Sequence, residues 1–192
     1  MITEIYKKPI PNLDIDETYY LREHKLDDAE AFFEYYSDPS VSKYILATIP
    51  KTLAEAKEEI IYCRNLFHYK RGIYWSICRR ENDKMIGAIG LYMNNNHHRA
   101  EICYDLHKDY WRQGITSKAI YAVTNHLFTN SDVKRVEALT VKENTPSINI
   151  LKKLGFEYDG SLKNYRYYDN KSHDVEMLSI TPDVFFKVTK PS

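Results

Sequence analysis

The stretch from Glu101 to Ser117, EICYDLHKDYWRQGITS, leaves the chain few choices. Ile102, Tyr104 and Leu106 alternate with Glu101, Cys103 and Asp105, which predicts a strand. The chain then turns through HKDYWRQG, and Ile120, Val123 and Leu127 recur at helical spacing. A strand therefore feeds a helix through a loop carrying Gly114, with Thr116 and Ser117 in the first turn. Such a junction suits an anion, because free N–H groups and the helix dipole both point at it. Gly114 admits close backbone approach, and Arg112 adds a positive side chain. With a single glycine, the loop meets neither the dinucleotide fingerprint nor the P-loop pattern, and an ordinary strand–helix turn stays open.

A second stretch narrows the reading. Arg135 to Val141 predicts another strand, followed by Asn144-Thr-Pro-Ser147 opening a helix that ends in Leu154-Gly-Phe156. This order of strand, Gly loop, helix, strand and Asn-x-x-Ser helix resembles the GCN5-related N-acetyltransferases (GNAT), in particular their RimJ/RimL branch. The likeness runs from about Tyr19 to Thr181. It includes LREHKLDDAEAFFEYYSDPSV, KMIGAIGLY, AEICYDL and HDVEMLSI. The family's pyrophosphate loop, Gln/Arg-x-x-Gly-x-Gly/Ala, falls on Trp111-Arg112-Gln113-Gly114-Ile115-Thr116. Trp111 in place of the leading Gln/Arg is usual for the RimJ/RimL branch, and Thr116 is a modest departure.

The resemblance implies an α/β (α+β) fold with a mixed, mostly antiparallel sheet, a splayed central strand and helices on both faces. It implies acetyl-CoA as donor and a primary amine as acceptor, either a protein N-terminus or a small amine. Backbone groups of Tyr104, Asp105 and Leu106 would meet the pantetheine and thioester. The amides of Arg112, Gln113, Gly114, Ile115, Thr116 and Ser117 would hold the pyrophosphate. Asn144 would bond the pantetheine arm and Ser147 would sit near the sulfur. A helix N-cap explains Asn144 equally, and an ordinary first-turn residue explains Ser147. Many family members carry a tyrosine acid where this chain has Leu151, leaving Ser147 as the nearest substitute. Without that acid, a non-catalytic acyl-CoA sensor is the alternative to an enzyme. A homodimer is compatible with the resemblance.

Glu101 is the first candidate base, since a carboxylate half-buried in a sheet has a raised pKa. A structural bond to Arg99 or a neighbouring strand is the other reading. Asp105 and His107 follow it. Cys103 reads as core, with no His–Asp partner traceable to it. His97 and His98 read as solvated turn residues rather than metal ligands. The acceptor cleft is expected around Tyr35–Ile49 and Tyr165–Tyr168.

Composition removes other classes. Lys plus Arg equals Asp plus Glu at 27 each, without the basic surplus of a nucleic-acid binder. The three cysteines form no CxxC, so neither a disulfide framework nor a metal site is indicated, and a reducing cytoplasm fits. No apolar run is long enough to span a bilayer, and the first residues do not read as a signal peptide. One domain covering 1–192 is expected, with 1–16 as a loose lead-in. Helices are expected at 29–36, 52–69, after Gly114 and at 145–154. Hairpins are expected at 73–93 and 156–180, the latter turning at Asp169–Lys171.

Overall fold

The structure, a computed structural model, describes residues 2–188, 190 and 191. Among them eight strands form one sheet in the order β1-β2-β3-β4-β5-β6-β8-β7. The strands are β1 (Leu13–Asp14), β2 (Tyr19–Glu23), β3 (Gly72–Arg79), β4 (Met85–Asn94), β5 (Arg99–Leu106), β6 (Arg135–Thr140), β7 (Glu157–Tyr168) and β8 (Lys171–Ile180). The helices are α1 (Asp28–Tyr36), α2 (Pro39–Ser42), α3 (Leu53–His68), α4 (Ile115–Asn130), α5 (Thr145–Lys153) and α6 (Pro182–Phe185). This is the mixed sheet expected from the sequence. Every pairing is antiparallel except β5 with β6.

That parallel pair is short. It joins Arg99 to Arg135, Ala100 to Val136 and Glu101 to Glu137, then stops. On its other edge β5 stays paired with β4 as far as Leu106. From Ile102 onward, β5 therefore has one bonded neighbour and one open edge. An open edge leaves main-chain donors and acceptors available to a ligand. Around the root, Arg99 and Arg135 both reach Glu137, at 3.2 and 3.1 Å.

Apolar side chains cover both faces. One core sets Ile89, Leu91, Ile102 and Leu106 against Ile115, Ile120, Val123 and Leu127 of α4 and Leu151 of α5. The other sets Ala29, Phe32 and Tyr35 of α1 and Ala56 and Ile60 of α3 against Cys78, Met85 and Ala88. Thr52 caps α3 by accepting from the Glu55 amide at 3.2 Å. The Glu55 side chain bonds the Lys51 amide, one residue before the position a strict capping box requires.

The lead-in is more ordered than its sequence suggests. It holds a 3₁₀ turn (Ile2–Lys7) and β1, with Ile15 buried. The Trp75 indole donates to the Pro11 carbonyl at 2.9 Å. Two prolines and no periodicity concealed this, because the anchoring partner lies 64 residues away.

Candidate active site

The loop after β5 is built by local rules. The His107 amide donates to the Ile86 carbonyl at 2.8 Å, keeping the strand end on β4. The Trp111 indole donates back to the Leu106 carbonyl at 2.8 Å while its ring stays partly exposed. Arg112 (φ 63°) and Gly114 (φ 76°) are both left-handed. Such residues turn neighbouring amides toward a common side, an anion-binding concavity. Gly114 caps α4, whose first bond runs from the Lys118 amide to the Gly114 carbonyl at 3.1 Å. The amides of Ile115, Thr116 and Ser117 precede that bond and have no partner within the helix. The Ile115 side chain is buried, so only its backbone can serve a ligand. Gln113 is held by its own side chain, which donates to the Asp109 carbonyl at 3.1 Å.

Across the open edge stands α5. Asn144 is its N-cap, with Oδ1 accepting from the Ser147 amide at 3.3 Å. Ser147 Oγ and the Tyr104 hydroxyl share a hydrogen bond of 2.7 Å. This contact spans the gap between β5 and the start of α5. The sequence reading assigned Tyr104 its backbone only, yet its side chain brings a second hydroxyl to Ser147. Burial pushes the Tyr104 phenol up to about 12, with the Ser147 bond opposing, so it stays protonated at neutral pH. Leu151, at the family's tyrosine position, is fully buried in the core and can offer nothing to a ligand.

The opposite face of β5 presents Glu101, Cys103 and Asp105. Glu101 forms an ion pair with Arg166 of β7. Burial raises the Glu101 carboxyl, the Arg166 charge opposes this, and Glu137 adds to it. The alternative partner, Arg99, bonds Glu137 instead. Cys103 Sγ lies 2.7 Å from the Tyr74 hydroxyl. Tyr74 reaches it by lying flat over Gly90, where a Cβ would come within 2.4 Å of its ring. Burial pushes the Cys103 thiol up to about 12, which suppresses the thiolate a nucleophile needs. Asp105 accepts from the Tyr35 hydroxyl at 2.7 Å. His107 sits beside Tyr35, ring centroids 6.2 Å apart, and its Nδ1 accepts from the Asp109 amide at 3.1 Å.

His97 lies in a 3₁₀ turn that ends at His98, and His98 lies 3.5 Å from an Asp132 carboxylate oxygen. Among the described residues no group of His, Cys, Asp and Glu side chains could hold a metal ion. The cysteines are free. No helix of the described residues is long and apolar enough to cross a membrane.

Comparison with known proteins identifies the family and the fold. The family profile "Acetyltransferase (GNAT) domain" matches residues 19–157. The chain is 34% identical over 165 residues to a Bacillus licheniformis protein named "Uncharacterized N-acetyltransferase p20", covering 85% of this chain and 93% of that one. Among solved structures, Mycobacterium smegmatis RimJ in complex with CoA-disulfide superposes with TM-score 0.79 at 20% identity, covering 90% of this chain and 88% of that one. A Salmonella typhimurium acetyltransferase that modifies the N-terminal serine of ribosomal protein L7/L12 superposes with TM-score 0.80 at 18% identity, covering 89% and 99%. Sequence and fold agree: the chain belongs to the GNAT N-acetyltransferase family.

Proposed function

We propose that this protein moves an acetyl group from acetyl-CoA to a primary amine, a protein N-terminus or a small amine, by direct transfer between two bound reactants. The observation that carries the reading is the open edge of β5, flanked by the anion-binding loop on one side and Tyr104–Ser147 on the other. Acetyl-CoA supplies an activated thioester and a pyrophosphate handle. The amides of Arg112 to Ser117 bind the pyrophosphate. Those backbone groups of the Tyr104–Leu106 stretch that face the open edge rather than β4 hold the pantetheine arm, and an N–H there stabilises the oxyanion. Asn144 orients the same arm with its side-chain amide. Holding two reactants in register supplies much of the rate.

Ser147 and Tyr104 act together on the departing thiolate, Ser147 donating a proton and Tyr104 resupplying it. A thiol leaves readily near neutral pH, so the acid contributes modestly. Either Ser147→Ala or Tyr104→Phe should lower kcat roughly tenfold, below the usual ~10²–10⁴-fold of general-acid effects because the thiol is already a good leaving group. The double variant should lose little more than one of them, since the two act as a unit. Single variants at the wild-type kcat would remove the pair from the mechanism.

Release of free CoA is the direct test, with alanine amide, an N-terminal alanyl peptide, putrescine and free alanine as acceptors. Acceptor-dependent release supports the reading. A protein that binds acetyl-CoA and is inert toward every amine is a sensor. Cys103, protonated and bonded to Tyr74, takes no part. Cys103→Ala should retain kcat within about threefold, the range of a lost packing contact of under 1 kcal/mol. The wild-type mass should not change when acetyl-CoA is supplied alone; a stable acetyl adduct would overturn direct transfer. We place the protein in the cytoplasm, in keeping with its three free thiols.

A further inference from the structure

Strand pleating puts Tyr104 and Asp105 on opposite faces of β5. Tyr104 meets Ser147 on the α5 side, and Asp105 meets Tyr35 on the α1 side. The two pairs thus bracket the open part of the strand, one residue apart. The Tyr35 hydroxyl and the Ala88 amide, at 2.7 and 3.1 Å, both donate to Asp105 Oδ1. Among the described residues no hydrogen bond goes to Oδ2 and no cationic side chain bonds this carboxylate. Glu101 differs in both respects. It lies roughly 13 Å back along the strand, at the last rung of the β5–β6 pairing, and Arg166 already neutralises it.

Apart from His107, the groups facing Asp105 supply no positive charge. Tyr35 and Tyr36 come from α1, and Glu59 and Cys63 from α3. Cys103 precedes it on β5, tied to Tyr74 of β3, whose ring packs on Tyr92 of β4 at 5.6 Å. His107 approaches through its contact with Tyr35. Burial raises the phenols and thiols, which are neutral at working pH. Glu59 is a second carboxyl, also raised by burial. Such a wall favours a cation and disfavours an anion.

We propose that Asp105 receives the acceptor's ammonium group and takes its first proton, with Tyr35 fixing the carboxylate, and that the acceptor is an alkylammonium with no carboxylate beside it. The assignment rests on the acetyl-transfer reading above. The bound ammonium gives one proton to Asp105, which passes it to solvent. The freed nitrogen lone pair bonds the thioester carbonyl carbon. The C–S bond breaks with its electron pair going to sulfur, and Ser147 protonates the thiolate. The nitrogen loses its second proton as the amide forms, and this proton restores the Ser147–Tyr104 pair. The products are amide, thiol and one released proton. Burial raises the Asp105 carboxyl to about 6, against the Tyr35 and Ala88 bonds that lower it, so the group changes charge near neutrality.

The test uses the member of the amine panel that wild type acetylates fastest, with kcat/KM followed from pH 5 to 9. Wild type should show an acidic limb that rises as Asp105 ionises. Asp105→Asn keeps the shape and both bonds to Oδ1. It should lose the limb and fall roughly 100-fold at pH 7, within the range of general-base effects. Tyr35→Phe removes a bond that stabilises the charged carboxylate, so its limb should move to higher pH. Acetyl-CoA affinity by calorimetry should change less than threefold in either variant, and alanine amide should be preferred over free alanine. Asp105→Asn with its limb intact would overturn the proposal. So would a limb erased by Glu101→Gln instead, a parallel loss of donor affinity, or preference for free alanine. If Asp105→Asn melts below the assay temperature, the direction of the Tyr35→Phe shift decides alone. Wild type inert toward the whole panel would refute acetyl transfer itself, which is a different failure.

Discussion

Gly114→Glu is expected to fold and to lose CoA affinity by more than 100-fold. Two effects act together. Gly114 sits at φ 76°, where an L side chain costs roughly 1–2 kcal/mol. The loop already tolerates one such residue in Arg112, so the chain should still close the turn. The added carboxylate then stands where the pyrophosphate would bind, and like charges a few ångströms apart repel by roughly 4 kcal/mol near a protein surface. A loss of 2.8 kcal/mol corresponds to about 100-fold in affinity. Calorimetry with CoA measures it directly. A folded variant with unchanged affinity would remove the pyrophosphate from this loop. Gly114→Ala separates the two effects, because it keeps the backbone cost and adds no charge.

Asp28→Ala is expected to lose roughly 3–5 kcal/mol of stability, the range for stripping one partner from a buried ion pair. Asp28 and Arg22 are 6% and 7% exposed at their side chains and meet through two bonds of 2.7 Å. Ser76 donates to the same carboxylate at 2.8 Å, and its hydroxyl lies 2.6 Å from His24 Nδ1. Arg22 also reaches Asp83 at 2.6 Å, tying the β3–β4 turn to β2 and α1. Without Asp28, the guanidinium keeps only Asp83 and backbone carbonyls as partners. For a chain of this size 1 kcal/mol moves Tm by roughly 2–4 °C, so a fall of about 10 °C is expected. Replacing the pair together, Arg22→Met with Asp28→Leu, should recover much of it. A single variant melting within 2 °C of wild type would show the network to be dispensable.

The same network gives stability a pH dependence. Burial pushes the His24 imidazole down to about 4, while an unfolded histidine titrates near 6.5. The unfolded chain therefore binds the extra proton first. This contribution is complete above pH 6.5 and is lost as pH falls toward 4. Asp28, held below the usual carboxylate range by Arg22, the Lys25 amide and Ser76 against desolvation, works in the same direction at lower pH. Asp105 runs the opposite way. Its raised carboxyl favours the folded state below pH 4 and loses that contribution as pH rises through about 6.

Much of the architecture was legible because its signals are contiguous. The strand–loop–helix at Gly114, the 73–93 hairpin and the Asn144 helix each carry their own periodicity and turn residues within one window. The loop amides follow from that local geometry. Side-chain pairings that span the sheet do not. Tyr104 and Ser147 are 43 residues apart, Glu101 and Arg166 are 65, and Tyr35 and Asp105 are 70. A pattern of alternation tells which face a residue takes, and says nothing about what waits there. Glu101 stands as a candidate base in the sequence, and its pairing with Arg166 is a long-range contact that no local pattern announces. Tyr104 was valued for its backbone because the tyrosine hydroxyl was sought at Leu151, which the core needs as an apolar side chain.

The three rungs between β5 and β6 make a seam. On one side lie β1 to β5; on the other, the three remaining strands. A donor threaded along the open edge, as proposed above, would supply the missing rungs from outside the polypeptide. Occupancy would then be part of the sheet's own cohesion, and the stability of the fold would vary with donor concentration. At donor levels 100 times the dissociation constant, the folded state gains about 2.7 kcal/mol, close to the cost of a damaging core substitution. With the donor bound there, a protein built around such a seam would register the supply of its own substrate as a gain in folding free energy.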